Sequence, residues 1–414
     1  MTTVQTLVSP PTEPQQAPSC PHFGPCGGCQ LQHLLYPTQL ETKTAQLRAL
    51  LEGANLSVPQ VQIHAAAPLA YRNRIRLTLA TYNSEFRAGY IGSSVDDDRG
   101  NDQPNDAVRD ANFVAITQCP IAAPILWHAA ETLLTELNQR VSVWFERAPF
   151  TADQLELFTT ADESQLQLSL FVRTKAKSLP ARFTSELASL CEALRLRIPA
   201  LSGAGIYLLP PRSARSRRAE QPRPGPAWGS PGLNYTVETP EPLSFWVPRG
   251  AFFQVNRFLL PELVTTVTAG RSGELAWDLY AGVGLFTKAL APLFARVTAV
   301  EIAEPSFTAL ASAKLPNRRA VKDTTLDFLE SAILQRDRPD LVVLDPPRTG
   351  AGREVCELLG RIAPSTLVYV SCSPQALADD LATLASAGYR ASELHLFDLF
   401  PQTSHLETVA VLTR

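Results

Sequence analysis

The stretch Glu274–Ile302, "ELAWDLYAGVGLFTKALAPLFARVTAVEI", decides the fold. An apolar run, "ELAWDL", breaks at a turn where Gly282 and Gly284 let the backbone bend tightly. "GLFTKALAPLF" then reads as a helix, and "RVTAVEI" as a second strand that closes on Glu301. The rhythm continues through the helical "PSFTALASAKL" to the buried strands of "DLVVLDPP" and "STLVYVSC". Near-continuous apolar strands separated by helices predict a parallel, Rossmann-like α/β sheet covered on both faces. Ligands of such sheets bind beyond the carboxyl ends of the strands, where Asp278 to Gly284, Glu301, Asp345 and Cys372 all fall.

Outward from this region, 414 residues exceed one compact core and suggest two or three domains. The composition is 45% hydrophobic and 19% charged, with no apolar run of the roughly 18 residues that cross a bilayer, so no membrane partner is expected. The opening "MTTVQTLVSPPTEPQQAPS" lacks the basic start and apolar centre of a signal peptide; it reads as a disordered tail, and a cytoplasmic location is expected. A net charge of -3 excludes indiscriminate coating of nucleic acid but leaves room for a local basic patch. Four zones are expected: a tail at 1–19, a cysteine knot with a helical linker at 20–65, a strand-rich domain at 66–248 and the α/β domain at 249–414. In the linker, Leu40, Leu47, Leu50 and Leu51 mark one helical face and Gly53 its end. "SSVDDDRGNDQPNDAVRD" and the "RSARSRR" segment read as solvated loops, the second in preference to a phosphate clamp built on Arg212, Arg215, Arg217 and Arg218.

The strand ends carry the chemistry. Glu301 lies about twenty residues past the glycine turn, where an acid can accept two ribose hydroxyls. The third glycine of a dinucleotide fingerprint is missing, so adenosylmethionine stands ahead of a nicotinamide cofactor. Asp345 either meets the ligand or caps a helix. Cys372 stands where a strand meets a helix N-terminus, which predicts a rigidly mounted, partly exposed thiol of lowered pKa, a nucleophile. Glu407 and His405 are the candidate bases, each with the ordinary alternative of a surface acid or capping imidazole. In "CPHFGPCGGCQLQH", Cys20, Cys26 and Cys29 are set close together among glycines. With Cys119 as a fourth ligand they suit zinc or an iron-sulfur cluster, and His22 and His33 are further candidates. Seven cysteines in a reducing compartment argue against a disulfide framework; Cys191 and Cys356 fit helix interiors as buried thiols.

Together "CPHFGPCGGCQLQH", "YRNRIRL", "AFFQVN", "DLYAGVGLF", "AVEI", "LDPPRTG", "VSCSP" and "LFPQTSHLETVAVL" resemble the RNA uridine-5 methyltransferase family, in particular its iron-sulfur branch acting on 23S ribosomal RNA. The resemblance implies an S-adenosylmethionine-dependent methyltransferase domain with a strand-rich central domain carrying a 4Fe-4S cluster on Cys20, Cys26, Cys29 and Cys119. It implies cofactor contacts from Gln254, Tyr280, Glu301 and Asp345, with Asp323 a further one, and makes Cys372 the nucleophile and Glu407 the general base. Two positions depart from the family pattern: its cysteine after "DLY" is Ala281, and the polar residue often following the second glycine is Leu285. Related branches carry an N-terminal RNA-binding barrel, which the residues before Cys20 are too few to form. RNA recognition by a monomer is therefore expected to rest on the middle domain and the cluster region. Phe252, Phe253 and the basic "YRNRIR" are candidates to receive a flipped base. A tRNA uridine-5 methyltransferase and a non-catalytic RNA-binding iron-sulfur protein are the alternatives.

Overall fold

The computed structural model describes residues 15–57, 59–83, 85–92, 112–212 and 221–414. The expected loop at 93–110 lies outside them, as do Met1–Pro14 of the tail and Arg215, Arg217 and Arg218 of the arginine run. Arg212 is described, and its guanidinium lies 2.8 Å from the Asp153 carboxylate. The chain divides into two compact units, one of 1–16, 33–68 and 235–414, the other of 17–32 and 69–234. These units divide the chain differently from the expected zones. The knot and the helical linker, read as one zone at 20–65, part between Gln32 and His33, and the central domain ends at Asn234 instead of residue 248. Gln15 and Gln16, assigned to the tail, donate their backbone N–H groups to the carbonyl of His33 at 2.8 and 3.2 Å.

The larger unit is built on an eight-stranded sheet in the order Val61–His64, Arg390–Phe397, Glu407–Thr413, Thr366–Ser371, Leu341–Leu344, Gly273–Leu279, Phe294–Val300 and Arg318–Val321. The strands from Thr366–Ser371 to Arg318–Val321 are parallel, as their apolar runs predict, and helices connect them. Glu407–Thr413 runs antiparallel to both of its neighbours. The sheet's core includes Leu279, Val342, Leu344, Leu367 and Tyr369. Among the described residues no helix is long and apolar enough to cross a membrane.

The linker helix, Tyr36–Gly53, buries Gln39, Lys43, Leu47 and Leu51. The sequence marked only its leucines. Lys43 Nζ donates to Asp398 Oδ1 at 2.6 Å and to the carbonyl of Phe400 at 3.0 Å. Gln39 and Gln402 bond reciprocally, the Gln39 amide to Gln402 Oε1 and the Gln402 N–H to Gln39 Oε1, both at 3.0 Å. Buried Asn256 adds a bond to the carbonyl of Leu399 at 3.1 Å. This segment precedes Glu407 and is therefore held by buried, directional contacts; removing one partner of such an ion pair typically costs about 3–5 kcal/mol.

The second unit has a seven-stranded sheet in the order Phe113–Ala115, Glu85–Ile91, Arg74–Tyr82, Thr151–Thr159, Leu166–Arg173, Leu201–Leu209 and Arg223–Gly229. All its neighbours are antiparallel except Leu166–Arg173 with Leu201–Leu209, which the helix Arg182–Arg195 connects. The helices Pro124–Gln139 and Arg182–Arg195 share its core.

Candidate active site

Four strand ends of the larger unit gather the residues singled out in the sequence. After Gly273–Leu279 the chain turns with positive φ at Tyr280 (63°), Gly282 (57°) and Gly284 (92°). The positive φ at Gly284 calls for glycine, and a Cβ there would also crowd the Leu310 side chain at 2.8 Å. Buried Asp278 orders this turn by accepting the Thr287 N–H at 2.7 Å and its hydroxyl at 2.5 Å, at the start of the helix Leu285–Leu290. Glu301 accepts the Gly282 N–H at 2.8 Å and the Ala303 N–H at 2.5 Å, which ties the first two strand ends together. Asp323, near the next strand, accepts the Thr324 N–H at 2.9 Å.

Asp345 follows Leu341–Leu344 and precedes no helix, since the next one begins at Arg353; the capping alternative is thereby removed. Its carboxylate accepts the side-chain amide of Gln254 at 3.2 Å. Burial and the neighbouring Asp278 push Asp345 up to about 7, and burial, with Glu301, pushes Asp278 up to about 7. Buried carboxylates that resist ionisation alone favour a cationic neighbour.

Cys372 follows Thr366–Ser371 directly and precedes Ser373, whose hydroxyl caps the helix Pro374–Ser386. In the antiparallel register Ser371 lies opposite Thr408, so the next position outward brings Cys372 beside Glu407, which is 2% exposed. One expectation fails here. Burial, together with the Glu407 and Asp345 carboxylates, outweighs Arg348 and pushes the Cys372 thiol up to about 11, not down. Burial and Asp345 likewise hold Glu407 well above the usual carboxylate range, with Arg348 pulling the other way. Sequence reasoning missed Arg348, the cationic neighbour common to both. The signal was its place three residues after Asp345 in "DPPRTG".

His405, the second candidate base, is exposed, edge-on to Phe400 at 6.0 Å. The two candidate stacking residues separate: Phe252 is 62% exposed, whereas Phe253 is buried against Tyr235 and Phe245. In "YRNRIR", Arg74 lies over the Phe158 ring at 4.1 Å and Arg76 pairs with Glu156 at 2.6 Å.

In the second unit Cys20, Cys26, Cys29 and Cys119 are all free and half-buried. Burial raises Cys29, with Cys26 and Cys20 adding to it, and burial with Cys29 pushes Cys119 up to about 11, so the four thiols share one neighbourhood. Arg72 is the cation facing Cys29 and Cys119. His22 instead accepts the Thr117 N–H at 2.9 Å, and His33 belongs to the other unit. Among the described residues no group of three or more His, Cys, Asp or Glu side chains is arranged to hold a single metal ion. A cubane is a different demand, because each thiolate meets a different iron and the sulfurs stand farther apart than ligands of one ion.

Residues 243–414 match the family model described as tRNA (uracil-5-)-methyltransferase. The chain is 32% identical to the 23S rRNA (uracil(1939)-C(5))-methyltransferase RlmD of Chromohalobacter salexigens, over 97% of this chain and 78% of that protein. It is also 32% identical to the enzyme of the same name in Shewanella denitrificans, over 96% of this chain and 84% of that one. The tRNA (uracil-54, C5)-methyltransferase of Pyrococcus abyssi, solved in complex with S-adenosyl-L-homocysteine, shares the fold with a TM-score of 0.67 and 22% identity, over 93% of this chain and 86% of that one. The larger unit thus has the α/β methyltransferase fold, and the chain belongs to the RNA uracil-5 methyltransferase family.

Proposed function

We propose that this protein methylates carbon 5 of a specific uridine in 23S ribosomal RNA, using S-adenosylmethionine and covalent catalysis by Cys372. The observation that carries the mechanism is the register of Glu407–Thr413 against Thr366–Ser371, which sets a thiol beside a buried carboxylate, with Asp345 facing both. Bound S-adenosylmethionine would supply an electrophilic methyl group on a cationic sulfur, and Gln254, Tyr280, Glu301 and Asp345 are the residues that would hold it. Carbon 5 of uracil is a weak nucleophile. Addition of the Cys372 thiolate to carbon 6 moves electron density onto carbon 5, which then takes the methyl group. Glu407 removes the carbon 5 proton, and elimination frees Cys372. Arg348 is suited to favour the thiolate, and exposed Phe252 to stack on the extruded base. Two relatives named for 23S rRNA, each at 32% identity, support ribosomal over transfer RNA. Both reactants are found in the cytoplasm, the proposed location.

Cys20, Cys26, Cys29 and Cys119 would hold a 4Fe-4S cluster, which would brace the segments that carry them. The shared neighbourhood of these thiols and the absence of a disulfide among them support this. Anaerobically purified protein is expected to carry about four irons and four acid-labile sulfides per chain. No iron after anaerobic reconstitution would remove the cluster from the proposal. The activity is tested by mass mapping of ribosomal and transfer RNA from a deletion strain. Loss of one 5-methyluridine from 23S RNA, restored by the wild-type chain, is expected. Loss from tRNA alone would overturn the substrate, and an unchanged complement in both would overturn the reaction.

A further inference from the structure

The helix that follows Cys372 contains a carboxylate that the mechanism does not use. Asp380 is 4% exposed. It accepts the Tyr369 hydroxyl at 2.5 Å, the Ala351 N–H at 2.8 Å and the Gly352 N–H at 3.2 Å. The Ala351 N–H also reaches the Tyr369 oxygen at 2.9 Å, so the three groups form one closed network. The fit is tight: Gly350 has φ 81°, and a Cβ there would stand 2.6 Å from Asp380 Oδ2 and 3.1 Å from Ala376. A buried carboxylate left unpaired would be costly, and this one is satisfied by donors from two other segments.

Those segments flank the candidate catalytic groups. Tyr369 is three residues before Cys372, on the strand that Cys372 follows, and Asp380 is eight residues after it on the next helix. Ala351 is three residues after Arg348. Elsewhere the turn from Asp345 to Gly352 is held by the Gln254–Asp345 bond at 3.2 Å and by the Gly350 N–H on the Pro347 carbonyl at 2.8 Å, while its two prolines donate no hydrogen bonds. We infer that Asp380 is a positioning residue: by gathering the Ala351–Gly352 backbone and the Tyr369 hydroxyl, it fixes where Arg348 stands relative to Cys372. The inference rests on the reading of Cys372 as nucleophile. The charged groups facing Cys372 are Glu407, Asp345 and Arg348, and the titratable groups bordering Asp380 are Tyr369, Cys356 and Tyr280. Of these only Arg348 is a cation, so its displacement has one sign: the thiolate becomes harder to form.

The test uses the full-length protein and RNA containing 5-fluorouridine, which halts the reaction at the covalent adduct because fluorine cannot leave as a proton. Asp380→Asn is expected to slow adduct formation about a hundredfold, the scale of a small misplacement of a reacting group, while RNA affinity stays within about threefold of wild type. The pH at half-maximal alkylation of Cys372, followed by the mass of its peptide, should rise. In an Arg348→Ala background the same substitution should add little further shift, because the group it acts through is gone. Tyr369→Phe removes one donor and should shift the profile in the same direction by less; it carries the comparison if Asp380→Asn does not fold. An Asp380→Asn profile that superimposes on wild type would overturn the inference, as would an equal further shift in the Arg348→Ala background. Absence of any wild-type adduct would strike instead at the proposed function.

Discussion

Replacing Cys372 with alanine is expected to abolish both turnover and the adduct with 5-fluorouridine RNA, lowering the rate by about 10⁴-fold or more. The loss is large because carbon 5 of uracil has no other route to nucleophilic character in this site. Of the neighbouring groups, Arg348 is no nucleophile, and the Asp345 and Glu407 carboxylates are far weaker ones than a thiolate. RNA binding should survive, since the thiol is a small part of the surface that RNA must meet. An adduct that persists in Cys372→Ala would assign the nucleophile elsewhere. The wild-type protein makes a further demand. Burial and two carboxylates push its thiol up to about 11, so alkylation of Cys372 in the cofactor-free protein should climb about tenfold per pH unit across the neutral range, as the thiolate fraction does. A flat profile there would mean that the thiolate is already formed.

Glu407→Gln has the second largest expected effect and a different signature. Addition and methyl transfer precede the step that needs a base, so the variant should build up a methylated covalent complex even with ordinary uridine RNA, while turnover falls by about 10² to 10⁴. Loss of turnover without that complex would place Glu407 earlier in the reaction. Two physical consequences accompany the change. Removing a carboxylate beside Cys372 lowers the cost of the thiolate, so alkylation of Cys372 should move to lower pH, opposite to the Asp380→Asn shift. Burial holds the folded-state pKa of Glu407 above its unfolded value, so its contribution to stability is complete below the unfolded pKa and is lost as pH rises through the folded one. Glutamine cannot ionise and should retain that stability at alkaline pH.

Much of this site could be read from the chain because each part left a local mark. The glycines of "DLYAGVGLF", the acid that closes "RVTAVEI" and the cysteine that ends "STLVYVSC" all sit where an apolar run stops, and a parallel sheet brings such stops together. What stayed hidden were polar residues whose partners are remote in sequence. Asp380 in "ALADDL" reads as one of two solvated helix acids, and only the fold reveals that Asp379 is exposed while Asp380 faces the Ala351–Gly352 turn. Lys43 and Gln39 resemble any exposed helix residue, because helical periodicity in leucine carries no information about a buried cation. The pKa of Cys372 was misjudged for a related reason. A helix N-terminus acts over the first turn, whereas desolvation and two acids depend on packing that no spacing rule contains.

The junction of Lys43 with Asp398 also bears on how the chain is made. The two residues are 355 positions apart, so at ribosomal speeds roughly 20 to 70 s separate their synthesis. Throughout that interval the lysine side of its helix has no mate, and closing so long a loop is slow in any case. The unit that holds the four cysteines has all its residues once Asn234 is made, while the other still awaits its last strand. Synthesis therefore completes the cysteine unit first, and the nascent helix from Tyr36 to Gly53 must wait for the far end of the polypeptide.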